Sequence, residues 1–381
     1  MKHIFILFSL ILAFNSIASS WVQKADFGAI GRHRGAGLSI ANKGYIGLGH
    51  MNGSGVDISY KDWWEYDPAS NSWTQKADFP TKTHGALTFT VGNIGYVGGG
   101  SALNGEFYGF DPISNTWTPT ALCPIYPTDV QAFSTNNKGY VYNASTLVEY
   151  NPITNSWSTK SAPPIPFNTW SSAFSNESSG FVKSGNKLYE YKAALNTWLI
   201  RAQFPGLMTN GSCAFSINGK GYFACGYVGG LSNVTDEVWE FNPATNTWTQ
   251  FDEFLGSTRR FQVAFSIFNK GYMGTGTNGI NFNDFWEFDP SFNYLSTESL
   301  SKSFDACNIY PNPVQSELNF TNLPDNLLEK SELVIYNAFG KEVIKAKLSN
   351  KISCSSLDPG YYTLTIRYSN QLVKQAKFIK L

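Results

Sequence analysis

Residues 21–27 read WVQKADF and residues 73–79 read WTQKADF, with six of seven positions identical. The second copy sits inside a longer repeating unit, whereas the first stands at the head of the folded part of the chain with nothing of a unit before it. The fold is decided by what a lone fragment of a repeat does at that position.

Working outward from the two copies, a pattern recurs along the first three quarters of the chain. A short alternating apolar stretch leads to a Gly-aromatic pair that ends at Tyr45, Tyr96, Tyr140, Phe181, Tyr222 and Tyr272. A second aromatic follows at Tyr66, Phe110, Tyr150, Tyr191, Phe241 and Phe288, and Trp73, Trp117, Trp157, Trp198 and Trp248 each lie seven residues beyond the first five of these. The intervening segments YDPASNSW, FDPISNTW, YNPITNSW, YKAALNTW and FNPATNTW read as turns. Proline presets its own φ, and the Asp or Asn side chain bonds the backbone ahead of it. Each unit is therefore a four-stranded antiparallel meander, with strands a to d. A period of roughly 40 to 50 residues suits the blade of a β-propeller.

The sixth unit reads FDPSFNYLS, with Leu295 where its tryptophan is due. Trp21 is the missing sixth tryptophan, so WVQKADF is expected to be strand d of the blade whose strands a to c come from about residues 258–289. Such a join ties the first and last blades by backbone hydrogen bonds and removes an exposed sheet edge. Six blades follow.

Composition agrees with an all-β chain: 29 Phe, 20 Tyr, 11 Trp and 34 Gly among 381 residues, with few charges. Lysine plus arginine balance aspartate plus glutamate at 28 each, which gives no reason to expect nucleic acid as a partner. Residues 1–18 have the charged start, apolar run and small-residue end of a secretory signal peptide, with cleavage expected after Ala18. The apolar run is shorter than the roughly 20 residues of a membrane span, and no second one exists in the chain. Cys213 and Cys225 flank a hairpin turn at Asn218-Gly219; they could form a bridge or remain two buried thiols, depending on a one-residue register.

The units resemble Kelch repeats, whose strand b usually ends in a double glycine. Gly98-Gly99-Gly100 fits well, Gly47-Leu48-Gly49 and Gly274-Thr275-Gly276 fit in part, and units three and four carry Val141-Tyr142-Asn143 and Val182-Lys183-Ser184 instead. Blades three and four are therefore expected to be distorted. The resemblance covers roughly residues 21–290, so the propeller is placed at 19–292, and a linker at 293–306.

Residues 307–381 differ in character, with fewer aromatics and more lysine, and alternate as a small Ig-like β-sandwich. This tail resembles the type A C-terminal sorting domain of the type IX secretion system of Bacteroidetes. The resemblance rests on Tyr310-Pro311-Asn312-Pro313, Tyr336, Gly340-Lys341, Gly360-Tyr361-Tyr362 and the terminal Lys377-Phe378-Ile379-Lys380. It implies periplasmic transit, handling by the type IX machinery, removal of the tail, and release from the cell or attachment to its surface.

In a meander, the b–c and d–a connections share one face of the disc, and here that face varies. Its b–c loops are long in blades one (His50 to Asp62), five (Tyr227 to Glu237) and six (Thr277 to Asp284), which closure makes neighbours. On the same face lie Arg32 and Arg34 before blade one and Arg259 and Arg260 before blade six. A guanidinium fork suits carboxylates, and arginines at comparable positions read acidic peptides in Kelch adaptors of ubiquitin ligases. The sequence-based expectation is a protein- or glycan-binding pocket built from these four arginines, walled by Trp63, Asp236, Asn283 and Asp284. The competing reading pairs the arginines with Asp62, Asp236 or Asp284 as staples between blades.

Enzymatic readings have less support. A copper oxidase like galactose oxidase needs imidazole, phenolate and a Cys-Tyr crosslink, and only His33, His50 and His84 lie beyond the leader. A sugar mutarotase or epimerase, as among Kelch epimerases acting on sialic acid, needs an acid/base carboxylate near an arginine; Glu237 or Asp236 with Arg259 could serve. No metal or cofactor motif is present. The repeated Glu65, Glu149, Glu190, Glu240 and Glu287 are expected to bond backbone between blades.

Overall fold

The computed structural model describes residues 20–53, 55–229, 233–292, 307–323, 331–368 and 371–381. The signal-peptide and linker segments expected at 1–18 and 293–306 lie outside these. The described residues form two compact units, one within Ser20–Asn293 and one within Tyr294–Leu381.

The first unit contains six four-stranded antiparallel sheets arranged as blades. Blades one to five run in chain order, each with neighbouring strands paired. Blade one, for example, comprises Ala36–Ile40, Lys43–Gly47, Trp63–Asp67 and Ser72–Lys76. Blade six takes Val263–Ile267, Lys270–Gly274 and Phe285–Phe288 from the end of the repeats and Trp21–Gln23 from the beginning. Trp21 pairs with Phe288, Val22 with Glu287 and Gln23 with Trp286, so the lone fragment does close the ring.

The glycine of each Gly-aromatic pair makes the blades fit together. A Cβ at Gly139 would stand 2.1 Å from the ring of Phe89 in the previous blade, and at Gly221 2.2 Å from Phe174. Only hydrogen lets these rings tuck against strand b.

The N-x-Trp turns are latches between blades. Asn115 Oδ1 accepts the backbone N–H of Ala77 at 2.9 Å, and Trp117 Nε1 donates to the Ala77 carbonyl at 2.9 Å. The same pair of bonds joins Asn71 and Trp73 to Ala25, Asn155 and Trp157 to Ala121, Asn196 and Trp198 to Ser161, and Asn246 and Trp248 to Ala202. Ala25 and Ala77 occupy the same place in the two QKADF copies, which explains why the motif repeats beyond its tryptophan.

Two expectations change, and one open alternative is decided. Blades three and four are four-stranded like the rest. Losing the glycines removes only the left-handed pair that ends strand b elsewhere, as at Gly99-Gly100 and Thr275-Gly276. The repeated glutamates serve their own blade: Glu65, Glu149, Glu240 and Glu287 accept the strand-b tyrosine hydroxyls of Tyr45, Tyr140, Tyr222 and Tyr272. Cys213 lies opposite Ala224 rather than Cys225, and all five cysteines are free and buried.

In the second unit, a three-stranded sheet (Asn308–Tyr310, Glu317–Thr321, Lys351–Ser353) accompanies a four-stranded one (Glu342–Lys347, Ser331–Asn337, Gly360–Tyr368, Gln371–Lys380). Leu318, Phe320, Leu333, Ile335, Leu364 and Phe378 belong to their shared core.

Candidate functional site at the axial mouth

The six a strands surround a channel on the propeller axis. On the face that carries the b–c and d–a loops, each blade contributes one residue shortly before strand a: Arg34, Gly85, Asp129, Trp170, Gly211 and Phe261. The backbone N–H of each bonds the carbonyl of the corresponding residue in the preceding blade, at 2.7–3.0 Å, and the last link from Arg34 to Phe261 closes a ring of six bonds. All six residues have positive φ, between 53° and 67°. Glycine adopts that conformation freely, but Trp170 and Phe261 are bulky residues held in it, a pattern that concentrates at functional sites.

The four side chains of this ring form two pairs, each spanning a glycine. Arg34 and Asp129 form a bidentate ion pair across Gly85, with Nε donating to Oδ1 at 2.6 Å and Nη2 donating to Oδ2. Trp170 and Phe261 meet edge to face at 5.1 Å across Gly211. A side chain at Gly85 would strike Asp129 at 2.4 Å, so the glycine makes the pairing possible. The mouth is thus covered by a lid with one ionic half and one aromatic half. Tyr227 extends the aromatic half, 5.8 Å from Trp170 and 5.5 Å from Phe261. Arg260 lies over Tyr227 at 4.9 Å and Phe261 at 5.7 Å.

Three polar atoms here, Trp170 Nε1, Arg260 Nε and His50 Nδ1, are buried without a hydrogen bond. Unsatisfied buried donors and acceptors are costly in folded proteins, and these three lie beside the mouth.

His33, His50 and His84 stand in a row beside the ionic half. His33 and His50 share a bond between their Nε2 atoms at 2.7 Å, and the rings of His50 and His84 lie 3.9 Å apart. Asn281 Oδ1 accepts from His33 Nδ1 at 2.6 Å. That proton leaves His33 Nε2 as the acceptor, so His50 donates through Nε2. Burial, with the neighbouring rings and Arg34 adding to it, pushes His33 down to about 4 and His50 to about 3, and lowers His84. The three rings are neutral at pH 7. Among the described residues, no group of three His, Cys, Asp or Glu side chains is arranged to hold a metal ion.

Of the eight residues expected to make the pocket, Arg34 and Arg260 reach the mouth, while Arg32, Arg259, Trp63 and Asp284 are committed elsewhere. Arg32 is 1% exposed and grips Asp62 through both Nη atoms, at 2.5 and 3.0 Å, while its Nη1 also bonds the Leu48 carbonyl. Arg259 is fully buried and holds Asp284 at 2.5 and 2.7 Å and the Thr275 carbonyl at 3.0 Å. Trp64 and Trp286 donate to those same carboxylates. Arg32 and Arg259 are therefore staples, because each fills its fork within the protein and retains no face for a ligand. Lys183 does comparable work in blade four, donating to the Met208 carbonyl at 2.9 Å, and its burial lowers its pKa to about 7. Trp63 is fully buried against Tyr45 and Trp117. Asp284 is consumed by Arg259, Asn283 uses its carbonyl to accept from Phe27, and Asp236 accepts from Phe254 through its backbone. The carboxylate Glu237 accepts the N–H groups of Leu207 and Met208 through Oε2, at 2.8 and 3.3 Å.

In the C-terminal unit, the motif residues organise the last strand. Asn312 donates to the Lys377 carbonyl and accepts the N–H of Ile379 at 3.0 Å, and Val314 bonds Ile379 and Leu381. Pro311 and Pro313 flank Asn312 on the surface. Gly340 takes φ 75° in a turn that Asn337 ties down by accepting from the N–H of Phe339 and Lys341. Tyr310, Tyr361, Lys341 and Lys377 are exposed, Gly360 begins the penultimate strand, and Lys380 is buried with its ammonium on the Leu381 carbonyl.

Residues 308–381 match the secretion system C-terminal sorting domain. A domain of this type directs secretion to the cell surface or beyond and implies handling by the type IX machinery. No helix among the described residues is long and apolar enough to cross a membrane. The solved structure of YjhT superposes with a TM-score of 0.60 at 15% sequence identity, covering 69% of this chain and 95% of that one. That likeness is one of fold, and 657 solved chains match, so the architecture alone does not select a function. No curated protein matches the sequence.

Proposed function

We propose that the propeller is a secreted or surface-held binding module that recognises an anionic glycan at the axial mouth of its loop-rich face. The observation that carries this reading is Arg260: its guanidinium lies against Tyr227 and Phe261, and its buried Nε has no partner. Aromatic faces suit the apolar faces of sugar rings, and a cation beside them suits a carboxylate or sulfate. Trp170 Nε1 adds a donor without a partner. The side chains Trp170, Tyr227, Phe261 and Arg260 are the proposed contacts.

A glycan array probed with the full chain and with Arg260→Ala tests it. Retained anionic-glycan binding by the variant, or binding confined to peptides, counts against it. The isomerase alternative requires a free carboxylate at the ligand, whereas Asp129 at the mouth is engaged by Nε and Nη2 of Arg34. Anomer exchange followed by NMR in the presence of the protein tests that alternative separately.

A further inference from the structure

Beneath the lid the channel forms a well of about 280 Å³, close to the lower end of the small-molecule pocket range of roughly 300–1,000 Å³. Near the far ends of the a strands the wall carries one hydroxyl from each blade: Ser39, Thr90, Ser134, Ser175, Ser216 and Ser266. Thr90 donates to the Ser39 carbonyl at 2.8 Å; among the described residues the five serine hydroxyls have no protein partner. Small side chains such as Ala132, Ala214 and Ala264 line the wall closer to the lid. Gln262, 6% exposed, also lines the well; its Nε2 donates to the Ala224 carbonyl, and its Oε1 is unpaired.

The charge of the wall limits the occupant. Arg34 and Asp129 are its only ionisable side chains, and they neutralise each other. A charged ligand inside would be uncompensated, and an apolar one would leave the hydroxyls and Gln262 Oε1 without bonds; both are penalised. We propose that this well is a second binding site, separate from the outer mouth, for a small neutral polyhydroxylated ligand of monosaccharide size. Serine hydroxyls both donate and accept, which matches a ligand whose own groups are hydroxyls. Entry is from the hydroxyl-ringed end, because the lid covers the other.

The test is saturation-transfer NMR on the full chain with D-glucose, D-galactose and myo-inositol as probes and D-glucuronate as the charged control. The expected result is transfer to at least one neutral probe and little to glucuronate. Ser216→Leu with Ser134→Leu fills the well and should abolish the signal, whereas Arg260→Ala should leave it unchanged. Should the leucine variant not fold, Ser134→Ala with Ser175→Ala and Ser216→Ala removes hydroxyls without adding volume and should weaken binding by about tenfold or more. No transfer to any neutral probe, equal transfer to glucuronate, or binding that survives well-filling or hydroxyl removal but is lost in Arg260→Ala would overturn the proposal. Because anionic glycans are read through Arg260 at the outer mouth, failure of one site leaves the other standing.

Discussion

Replacing Trp21 by alanine tests the closure of the ring at a single side chain. The indole is 2% exposed and lies 4.9 Å from both Phe254 and Phe288, so it links blade five to blade six. A buried tryptophan removes up to about 250 Å² from water, worth about 6 kcal/mol at 25 cal/mol/Å². The unfolded chain already hides part of that surface, and truncation of buried aromatics costs about 3–5 kcal/mol. For a domain of this size the loss corresponds to a fall in melting temperature of about 10 °C. Val22→Ala is the control: Val22 is 51% exposed one residue further along the same strand, so its change should stay within about 0.5 kcal/mol. Differential scanning calorimetry of the three proteins is the assay. A Trp21→Ala protein that melts with the wild type would refute the reasoning, since the strand would then be an ornament on a ring closed by other means.

Four further outcomes are expected. Asn115→Ala breaks one latch while leaving its tryptophan in place, and should cost about 1–2 kcal/mol in urea denaturation, through the lost bond to the Ala77 N–H together with the strain of alanine at a φ of 54°. Phe261→Gly relieves a φ of 57° and so should change stability far less than an ordinary buried Phe truncation, about 1 kcal/mol against 3–5, while glycan binding falls. Arg32→Ala leaves Asp62 without its bidentate partner and should destabilise by about 3 kcal/mol with no direct effect at the mouth, the reverse of Arg260→Ala. The histidine row gives a pH dependence. The folded protein keeps His33 and His50 neutral down to about 4 and 3, whereas the unfolded chain protonates them near 6.5, so the unfolded state binds more protons between these values. Stability from this pair is complete above pH 6.5 and is lost as pH falls towards 4 and below. His33→Gln with His50→Gln should flatten that part of a urea-midpoint series from pH 7 to pH 4, and equal slopes in both proteins would argue against it.

The arginines show how far sequence reasoning reaches. Arg32 and Arg259 align with each other before strand a, and the sequence left reading and stapling as alternatives. Only the packing decides, by placing Asp62 and Asp284 within reach of both guanidinium nitrogens. Arg34 and Arg260 are their near neighbours and differ in outcome, since one spans the axis to Asp129 and the other rests on aromatic rings. Trp170 and Phe261 escaped notice because the residue type at their equivalent position changes from blade to blade, and Tyr227 because it stands at the start of a long b–c loop. The usable signal was subtle: Trp170 and Phe261 occupy the place that Gly85 and Gly211 hold in other blades.

The blade count, the completing role of WVQKADF and the exported tail were legible from the sequence because each rests on local regularities. Turn chemistry, period-two alternation and a fixed spacing of aromatics survive in one dimension. The mouth, the lid and the well were not legible, because they are made where six separate chain segments converge on one axis. Which side chains meet there depends on ring closure and on a few backbone angles, and no spacing along the chain encodes those distances.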